Sequence, residues 1–170
     1  AGKEIVVGWQ QSDRLYSLAA YSIHNDQVLE LMRTEYTAYQ VCDLDQDGTD
    51  ELVILHTGTG EGTNRAELYD YREGVMEVVS SAPMSRSVTG LAENGVRTGL
   101  LRGGEPAVFV DASYSSAGYA PGEELGAFAS SAYSGDGQIT DIFAWKDGAL
   151  QNITLDPVTG ESDDTIRWYT

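Results

Sequence analysis

The segment DLDQDGTDE, residues 43–51, concentrates acidic side chains around one glycine. Aspartates occupy its first, third and fifth positions, Gly48 occupies the sixth and Glu51 the ninth. Oxygen donors at alternate positions of a tight loop suit a hard divalent cation such as calcium, and glycine permits the sharp reversal that turns them inward. The candidate ligands are the carboxylates of Asp43, Asp45, Asp47 and Glu51 and the main-chain carbonyl of Thr49. The sequence therefore predicts a calcium site, and the alternative is a solvated acidic turn.

The residues after this segment exclude a helix–loop–helix calcium motif. That motif needs a bidentate glutamate at the twelfth loop position, where this chain has Ile54. The aliphatic run ELVIL follows the acidic residues and is typical of a β-strand. The loop is therefore predicted to lead directly into a strand.

Residues suited to catalysis form no recognisable set in the sequence. His24 falls in a predicted turn and His56 follows a predicted strand, and no serine lies in a G-x-S-x-G elbow. The single cysteine, Cys42, alternates with strand residues and is predicted to be a small buried residue, not a nucleophile. The glycine-rich segment 57–64 leads to another strand and lacks the lysine of a phosphate-binding loop. The sequence therefore predicts no catalytic residues.

Composition limits the partners of the chain. Its 170 residues carry 27 acidic and 10 basic side chains, which gives a formal net charge of −17. Such a surface repels phosphate backbones and anionic lipid headgroups. We therefore expect this domain to contact neither nucleic acid nor a membrane. A hydrophobic content of 41% supports a folded domain, and one cysteine allows no intrachain disulfide.

Three related segments point to an internal repeat. Each places an acid before a short β-branched run: KEIVVGW (3–9), DELVILH (50–56) and EPAVFVD (105–111). Each is followed by a predicted hairpin turn: IHNDQV (23–28), YREGVM (71–76) and WKDGAL (145–150). Repeats of this length with short strands are typical of all-β arrays.

The predicted fold is all-β, with about three four-stranded, antiparallel, propeller-like blades that form a partial propeller. The chain is expected to be a single domain, 1–170, with repeats at about 1–43, 44–99 and 100–170, and to be a fragment of a larger protein. The fourth strands of the three units are predicted at 37–43, 87–93 and 165–170. The alternative fold is a β-sandwich.

The third repeat departs from the acidic pattern. Aligning Gly103 with Gly48 in LLRGGEP puts Arg102 opposite Asp47 and Leu100 opposite Asp45. The ion site is therefore predicted to be lost in this repeat.

An insertion at 111–138 interrupts the third repeat and is rich in Ser, Gly, Ala and Tyr. Long loops on a rigid scaffold often carry function. The aromatic residues that are predicted to form a contact surface for a ligand are Tyr114, Tyr119, Phe128 and Tyr133. The alternative is an insertion without a partner.

Residues 37–57 resemble the FG-GAP or VCBS-type repeat, in which a D-x-[DN]-x-D-G-x-x-[DE]-L loop leads into a propeller strand. The rest of the chain resembles it only as degenerate repeats. The resemblance implies that the five ligands named above bind calcium. It also implies a secreted or lipid-anchored protein of the kind found in Gram-positive bacteria.

The expected function is that of a non-catalytic, calcium-stabilised β-repeat module of a secreted or cell-surface protein. Its role would be binding, with a glycan or a cell-surface protein as partner, or scaffolding of a neighbouring domain. The alternative is part of a propeller-type carbohydrate-active enzyme, a lyase or a hydrolase. A third alternative is a structural spacer without a ligand.

Overall fold

A computed structural model describes residues 4–13, 15–58, 63–85, 88–101, 103–114 and 137–154. The regular elements of these residues are all β-strands, as the sequence predicts. They are β1 (Glu4–Ser12), β2 (Leu15–His24), β3 (Gln27–Glu35), β4 (Ala38–Cys42), β5 (Glu51–His56), β6 (Arg65–Arg72), β7 (Val75–Pro83), β8 (Val88–Leu100), β9 (Pro106–Tyr114), β10 (Gly137–Lys146) and β11 (Ala149–Asn152). Across these ranges no helix has the length and apolar character needed to cross a membrane.

The strands form three antiparallel sheets. The first sheet has the order β1-β2-β3, the second β4-β5-β6-β7 and the third β8-β9-β10-β11. Every pair of neighbouring strands in a sheet is antiparallel, and within each sheet the strands follow one another in sequence order. The all-β prediction with three antiparallel sheets is therefore confirmed.

The strand pairing divides the chain at different points from the predicted repeats. The sequence places β4 in the first unit, but β4 pairs with β5 of the second sheet, with Cys42 opposite Glu51. β8 was assigned to the second unit, and it pairs with β9 of the third sheet. The reason is that the acidic β4–β5 loop and the glycine-rich β8–β9 loop are both short. Short connections join antiparallel strands that pair with each other. The predicted fourth strand at 165–170 lies outside the described residues, and the first sheet has three described strands.

The hairpin turns of the three sheets confirm the turns predicted from sequence. In each turn both central residues have positive φ, as type I′ turns require. The residues with positive φ are Asn25 and Asp26 after β2, Glu73 and Gly74 after β6, and Asp147 and Gly148 after β10. These turns give the three sheets a common reference position.

The second sheet lies between the other two, and its strand β5 is buried on both faces. On β5, Leu52 and Ile54 point towards the first sheet, while Val53 and Leu55 point towards the third. All four side chains are at most 1% exposed, as alternation on a doubly covered strand requires. The core shared by the first and second sheets contains Leu18, Ala20, Leu31, Met32, Leu52, Ile54 and Tyr69. The core shared by the second and third contains Leu44, Val53, Leu55, Ala66, Leu68, Val108, Val110, Phe143 and Leu150 among others.

Candidate metal centre

The predicted ion-binding segment is the connection between β4 and β5. Because Cys42 pairs with Glu51, the two ends of the loop meet at the edge of the second sheet. Gly48 has φ +92 in the loop, and nothing lies within 4 Å of a Cβ added there. The sharp reversal predicted at this glycine is therefore present, and backbone conformation alone requires the glycine.

The loop brings the four predicted carboxylates together. Asp43, Asp45, Asp47 and Glu51 each offer one oxygen, and these oxygens all lie within 4.8 Å of one another. Asp45 and Asp47 are exposed, Asp43 is half-buried and Glu51 is only 3% exposed. In the part of the chain that the structure describes, this is the group of acidic, histidine or cysteine side chains that can hold a metal ion. The Thr49 carbonyl as a fifth ligand stays a prediction.

Backbone amides of the loop orient the aspartates. Gly48 N donates to Asp43 Oδ2 at 3.1 Å, Asp47 N donates to Asp45 Oδ1 at 3.1 Å, and Thr49 N donates to Asp47 Oδ1 at 2.8 Å. Each aspartate therefore has one oxygen held by the main chain. The other oxygen of Asp43, Oδ1, is buried and has no hydrogen-bond partner among the described residues. A buried, unpartnered carboxylate oxygen is costly, and a bound cation would satisfy it.

Glu51 is a buried acid in a locally negative environment. Burial, together with the nearby negative charges of Asp45 and Asp43, raises the pKa of its carboxyl to about 7, against the opposing hydrogen bond from the Leu44 amide. Leu44 N donates to Glu51 Oε2 at 2.7 Å. The ion pairs formed between described residues lie elsewhere, on partners such as Glu30, Glu67 and Glu105. The negative charge of the loop therefore has no basic counterpart in the described chain.

Two residues beside the ligands connect the loop to the interior. Leu44, between the first two aspartates, is 2% exposed and belongs to the core shared by the second and third sheets. Cys42 packs against the same core. Burial, followed by the neighbouring Glu51, Asp50 and Asp43, raises the pKa of the Cys42 thiol to about 12. The thiol is therefore protonated at neutral pH, as expected of a packing residue.

The matching connection of the third sheet is a shorter turn. Residues 101–105 join β8 to β9, and Leu101 N donates to Glu105 O while Gly104 N donates to Leu101 O, both at 2.8 Å. Gly104, with φ +84, takes the place of Gly48, so the sequence alignment on Gly103 was one residue out. No acidic ligand cluster forms at the described positions of this turn. Arg102, which was placed opposite Asp47, lies outside the described residues.

The predicted aromatic contact surface is not assembled by the described residues. Tyr114 is the last residue of β9, and Tyr119, Phe128 and Tyr133 lie outside the described ranges. Their role in ligand binding stays a prediction.

Sequence reasoning missed two polar clusters, neither of which involves the loop. Glu67 accepts hydrogen bonds from Arg65 Nε at 2.8 Å and from Tyr69 Oη at 3.1 Å, and its Oε2 lies 2.8 Å from His56 Nε2. The alternation R-x-E-x-Y on β6 was the available signal, since it puts the three β6 residues on one face. His56, the last residue of β5, thus takes part in a hydrogen-bonded cluster with β6.

The second missed cluster surrounds Asp141, which is fully buried. Its Oδ2 accepts from Ser85 N at 3.0 Å, and its Oδ1 accepts from Asn152 Nδ2 and Thr154 Oγ1, each at 3.1 Å. These partners come from separate parts of the chain, so no local pattern could have revealed the cluster. It ties the segment after β7 to the third sheet.

Comparisons with protein-family models, with curated proteins and with solved structures find no match to this chain.

Proposed function

We propose that the chain is a non-catalytic, calcium-stabilised β-repeat module of a secreted or cell-surface protein. Its role is binding, with a glycan or cell-surface protein as partner, or scaffolding for a neighbouring domain. The observation that carries the proposal is the convergence of three aspartate carboxylates on the buried Glu51, without a basic partner among the described residues. The resemblance of residues 37–57 to the FG-GAP or VCBS-type loop supports the same assignment.

The donor set favours calcium over other metals. The clustered ligand atoms are all carboxylate oxygens, and no histidine nitrogen or cysteine sulfur belongs to the described cluster. Zinc and other transition metals prefer nitrogen and sulfur ligands, whereas calcium takes six to eight oxygens in flexible geometry. Magnesium demands a near-ideal octahedron, which an irregular loop with two exposed aspartates fits less well.

Loop geometry explains how an ion would stabilise the whole module. Leu44 is inserted between the second and third sheets, and its amide is bound by Glu51, one of the ligands. An ion that holds Asp43, Asp45 and Glu51 therefore also fixes the backbone from which Leu44 enters the core. At a hundredfold excess over Kd, binding to the folded state alone adds about 2.7 kcal/mol to the free energy of unfolding. Extracellular calcium is abundant enough to fill such a weak site, which supports a secreted or surface location.

The proposal is tested by calcium titration and thermal unfolding of three proteins. The wild type should bind one calcium ion by calorimetry and lose about 5–10 °C of Tm in EDTA. Asp45→Asn should abolish both binding and the EDTA effect. Asp50→Asn is the matched control, because it removes the same charge from the same loop but lies outside the ligand cluster.

Two results would contradict a specific metal site in the loop. One is a Tm that EDTA leaves unchanged. The other is equal loss of affinity in Asp45→Asn and Asp50→Asn, which would indicate diffuse attraction of cations to an acidic surface. Tighter binding of magnesium than of calcium would retain the site but overturn the identity of the ion.

A further inference from the structure

The first sheet has one described strand fewer than the other two. The positive-φ hairpin turns align the sheets, so that β1, β2 and β3 match β5, β6 and β7 of the second sheet and β9, β10 and β11 of the third. The second and third sheets begin with a further strand, β4 or β8, which pairs with β5 or β9. Among the described strands, β1 pairs with β2 alone, so its other edge has no described partner.

The open part of the first sheet is this edge and not a face. Counted from the hairpins, Ile5 of β1 matches Leu52 of β5; the first is 45% exposed and the second 1%. On the central strand β2, Ala19 is fully buried. Arg33 lies opposite Ala19, with its guanidinium 4.8 Å from the centre of the Trp9 ring. The sheet is therefore closed at its centre and open along β1.

β1 has few of the features that protect an open edge. It is nine residues long and pairs with β2 without a register shift from Glu4 to Gln10, and its one charged residue is Glu4 at its start. The outer strands of the other sheets are different, since β7 contains Glu77 and Pro83 and β11 has four residues. Free edges are normally short, charged, bulged or covered. The composition of β1 is thus that of a strand paired on both sides.

The space beside β1 has the width of one strand. In the second sheet β4 lies one strand beyond β5, and it packs beside β8 of the third sheet. Val41 of β4 pairs with Leu52, which faces the first sheet, yet Val41 is 43% exposed. Because stacked sheets lie about 10 Å apart, a strand paired with β1 would cover Val41. A second copy joined through the same edge would bring its own second sheet into the space that β4 occupies.

The described chain ends on the side where such a strand has to begin. Asn152 Nδ2 donates to Pro83 O, so β7 and β11 end on the same side of the molecule. Thr37 N, just after β3, donates to Leu55 O near the end of β5, which puts the ends of β3 and β5 on one side. β1 runs in the same direction as β3, and β5 in the same direction as β7. A strand antiparallel to β1 therefore starts on the side where Thr154 lies.

The residues after Thr154 are long enough to reach the edge of β1. The sequence predicts a strand at 165–170, TIRWYT, in which Ile166 and Trp168 alternate with Arg167. The third sheet already has four strands, so this predicted strand is not needed there. Residues 155–164 can span about 33 Å when extended. Two sheet spacings, from the third sheet to the first, amount to about 20 Å.

We propose that residues 165–170 pair with β1 as an antiparallel strand and complete the first sheet. The added strand takes up the ladder hydrogen bonds of the free edge, covers Val41 and borders Ile5 and Val7. Each sheet then has four strands, and the end of the chain is tied to its first described strand. The proposal does not depend on the calcium assignment.

Hydrogen exchange of the full 170-residue chain tests whether the edge is paired. Successive amides of a strand point to opposite edges, so an open β1 would protect only every second amide. We expect protection of both sets between Ile5 and Gln10.

Proline substitutions test whether residues 165–170 provide this protection. Ile166→Pro and Arg167→Pro remove adjacent amides, so one of them has to remove a ladder hydrogen bond. That variant should lower the protection of the outward β1 amides at least about tenfold. Thr159→Pro, outside the predicted strand, is the control and should leave β1 unchanged. Unchanged exchange in β9 and β10 shows that the variants are folded.

Photo-crosslinking identifies the chain that supplies the strand. A benzophenone amino acid replaces Trp168 in one protein and Tyr71 in the control; Tyr71 is 48% exposed and lies beside the β6–β7 hairpin. Isotopically light and heavy chains are mixed before irradiation, and the products are mapped by mass spectrometry. We expect position 168 to cross-link to β1 or β4 of its own chain, and position 71 to give no such product.

Each other result overturns the proposal. Free exchange of every second β1 amide in the wild type would show that the edge is open. Protection that neither proline variant reduces would mean that other residues cover it. A cross-link from position 168 between light and heavy chains would indicate a strand donated by a second copy. A cross-link to any element other than β1 or β4 would place residues 165–170 elsewhere.

Discussion

The β4–β5 loop and the β8–β9 loop occupy the same place in the second and third sheets, yet they are closed in different ways. The first spans residues 43–50 and directs carboxylates inward, with Glu51 buried and without a basic partner among the described residues. The second spans residues 101–105 and is closed by its own backbone hydrogen bonds. Its acid, Glu105, is exposed and paired with Lys146. Both loops reverse direction at a glycine with positive φ.

Glu51 and Ala107 occupy matching buried positions, and the comparison shows that the β4–β5 loop places a charged group where the third sheet has an apolar one. Glu51 lies opposite Cys42, and Ala107 lies opposite Gly99 at the equivalent place in the third sheet. Ala107 is fully buried, so this position accepts a small apolar residue without difficulty. A carboxylate there is unfavourable by itself and becomes favourable when a cation compensates it. If the loop binds an ion as proposed, the second sheet depends on that ion at the position where the third sheet uses a small apolar residue of its own chain.

The largest expected effect comes from the leucines that the two loops contribute. Leu44→Ala removes a side chain that is 2% exposed from the core between two sheets, and should lower the free energy of unfolding by about 2–5 kcal/mol. Leu101→Ala removes a partly buried side chain at the edge of a smaller cluster and should cost less. Urea denaturation in saturating calcium measures both. Equal losses would show that the acidic loop is not anchored in the core through Leu44.

Glu51→Gln should change the free energy of unfolding in opposite directions with and without calcium. In calcium the variant loses a ligand and with it most of the roughly 2.7 kcal/mol that binding supplies. In EDTA at a pH above the Glu51 pKa of about 7, the variant should be more stable than the wild type by about 1 kcal/mol, since it removes a buried charge and keeps an oxygen to accept from Leu44 N. Thermal unfolding in both buffers checks the inversion.

Asp50→Asn is the control for Glu51→Gln, because it makes a matched charge change outside the ligand cluster. A Glu51→Gln protein that is less stable than the wild type in both buffers would mean that the carboxylate is structural and not a ligand.

The acidic loop could be predicted from sequence because its information is local. Three aspartates, a glycine and a following glutamate within nine residues define both the reversal and the donors. The burial of Glu51 was not predictable in the same way, since the core beside the loop forms only when the second and third sheets pack together. The hairpin turns were also predictable, because their positive-φ residues fall within short polar segments between apolar strands.

The division of strands among sheets was the part of the fold that sequence reasoning placed incorrectly. Periodicity identifies β4 and β8 as strands but does not specify their partners. The predicted repeat boundary fell at the acidic loop and so separated β4 from β5. Antiparallel strands joined by a short connection pair preferentially, and these two strands do pair. The Asp141 cluster was likewise hidden, since Ser85 and Asn152 meet it only after the sheets have formed.

Substitution of Gly48 and of Gly104 should affect calcium binding differently in the two loops. Gly48→Ala and Gly104→Ala each force a side chain into a conformation with φ near +90, and space around the added Cβ is open in both. Each should therefore cost about 1–2 kcal/mol from backbone strain alone. Gly48→Ala should in addition weaken calcium binding, because Gly48 N orients Asp43. Calcium titration of both variants distinguishes them, and an equal loss of affinity in the two would contradict a role for the β4–β5 geometry in binding.

The smallest effect is expected at the ion pair that closes the third-sheet loop. Glu105 and Lys146 keep side-chain exposures of 50% and 34%, so solvent and salt screen their attraction. Lys146→Gln should lower the free energy of unfolding by less than about 1 kcal/mol, and the difference from the wild type should vanish in high salt. EDTA should leave that difference unchanged. If EDTA instead altered the stability difference between Lys146→Gln and the wild type, the third-sheet loop would also depend on an ion. The proposed contrast between the two loops would then be wrong.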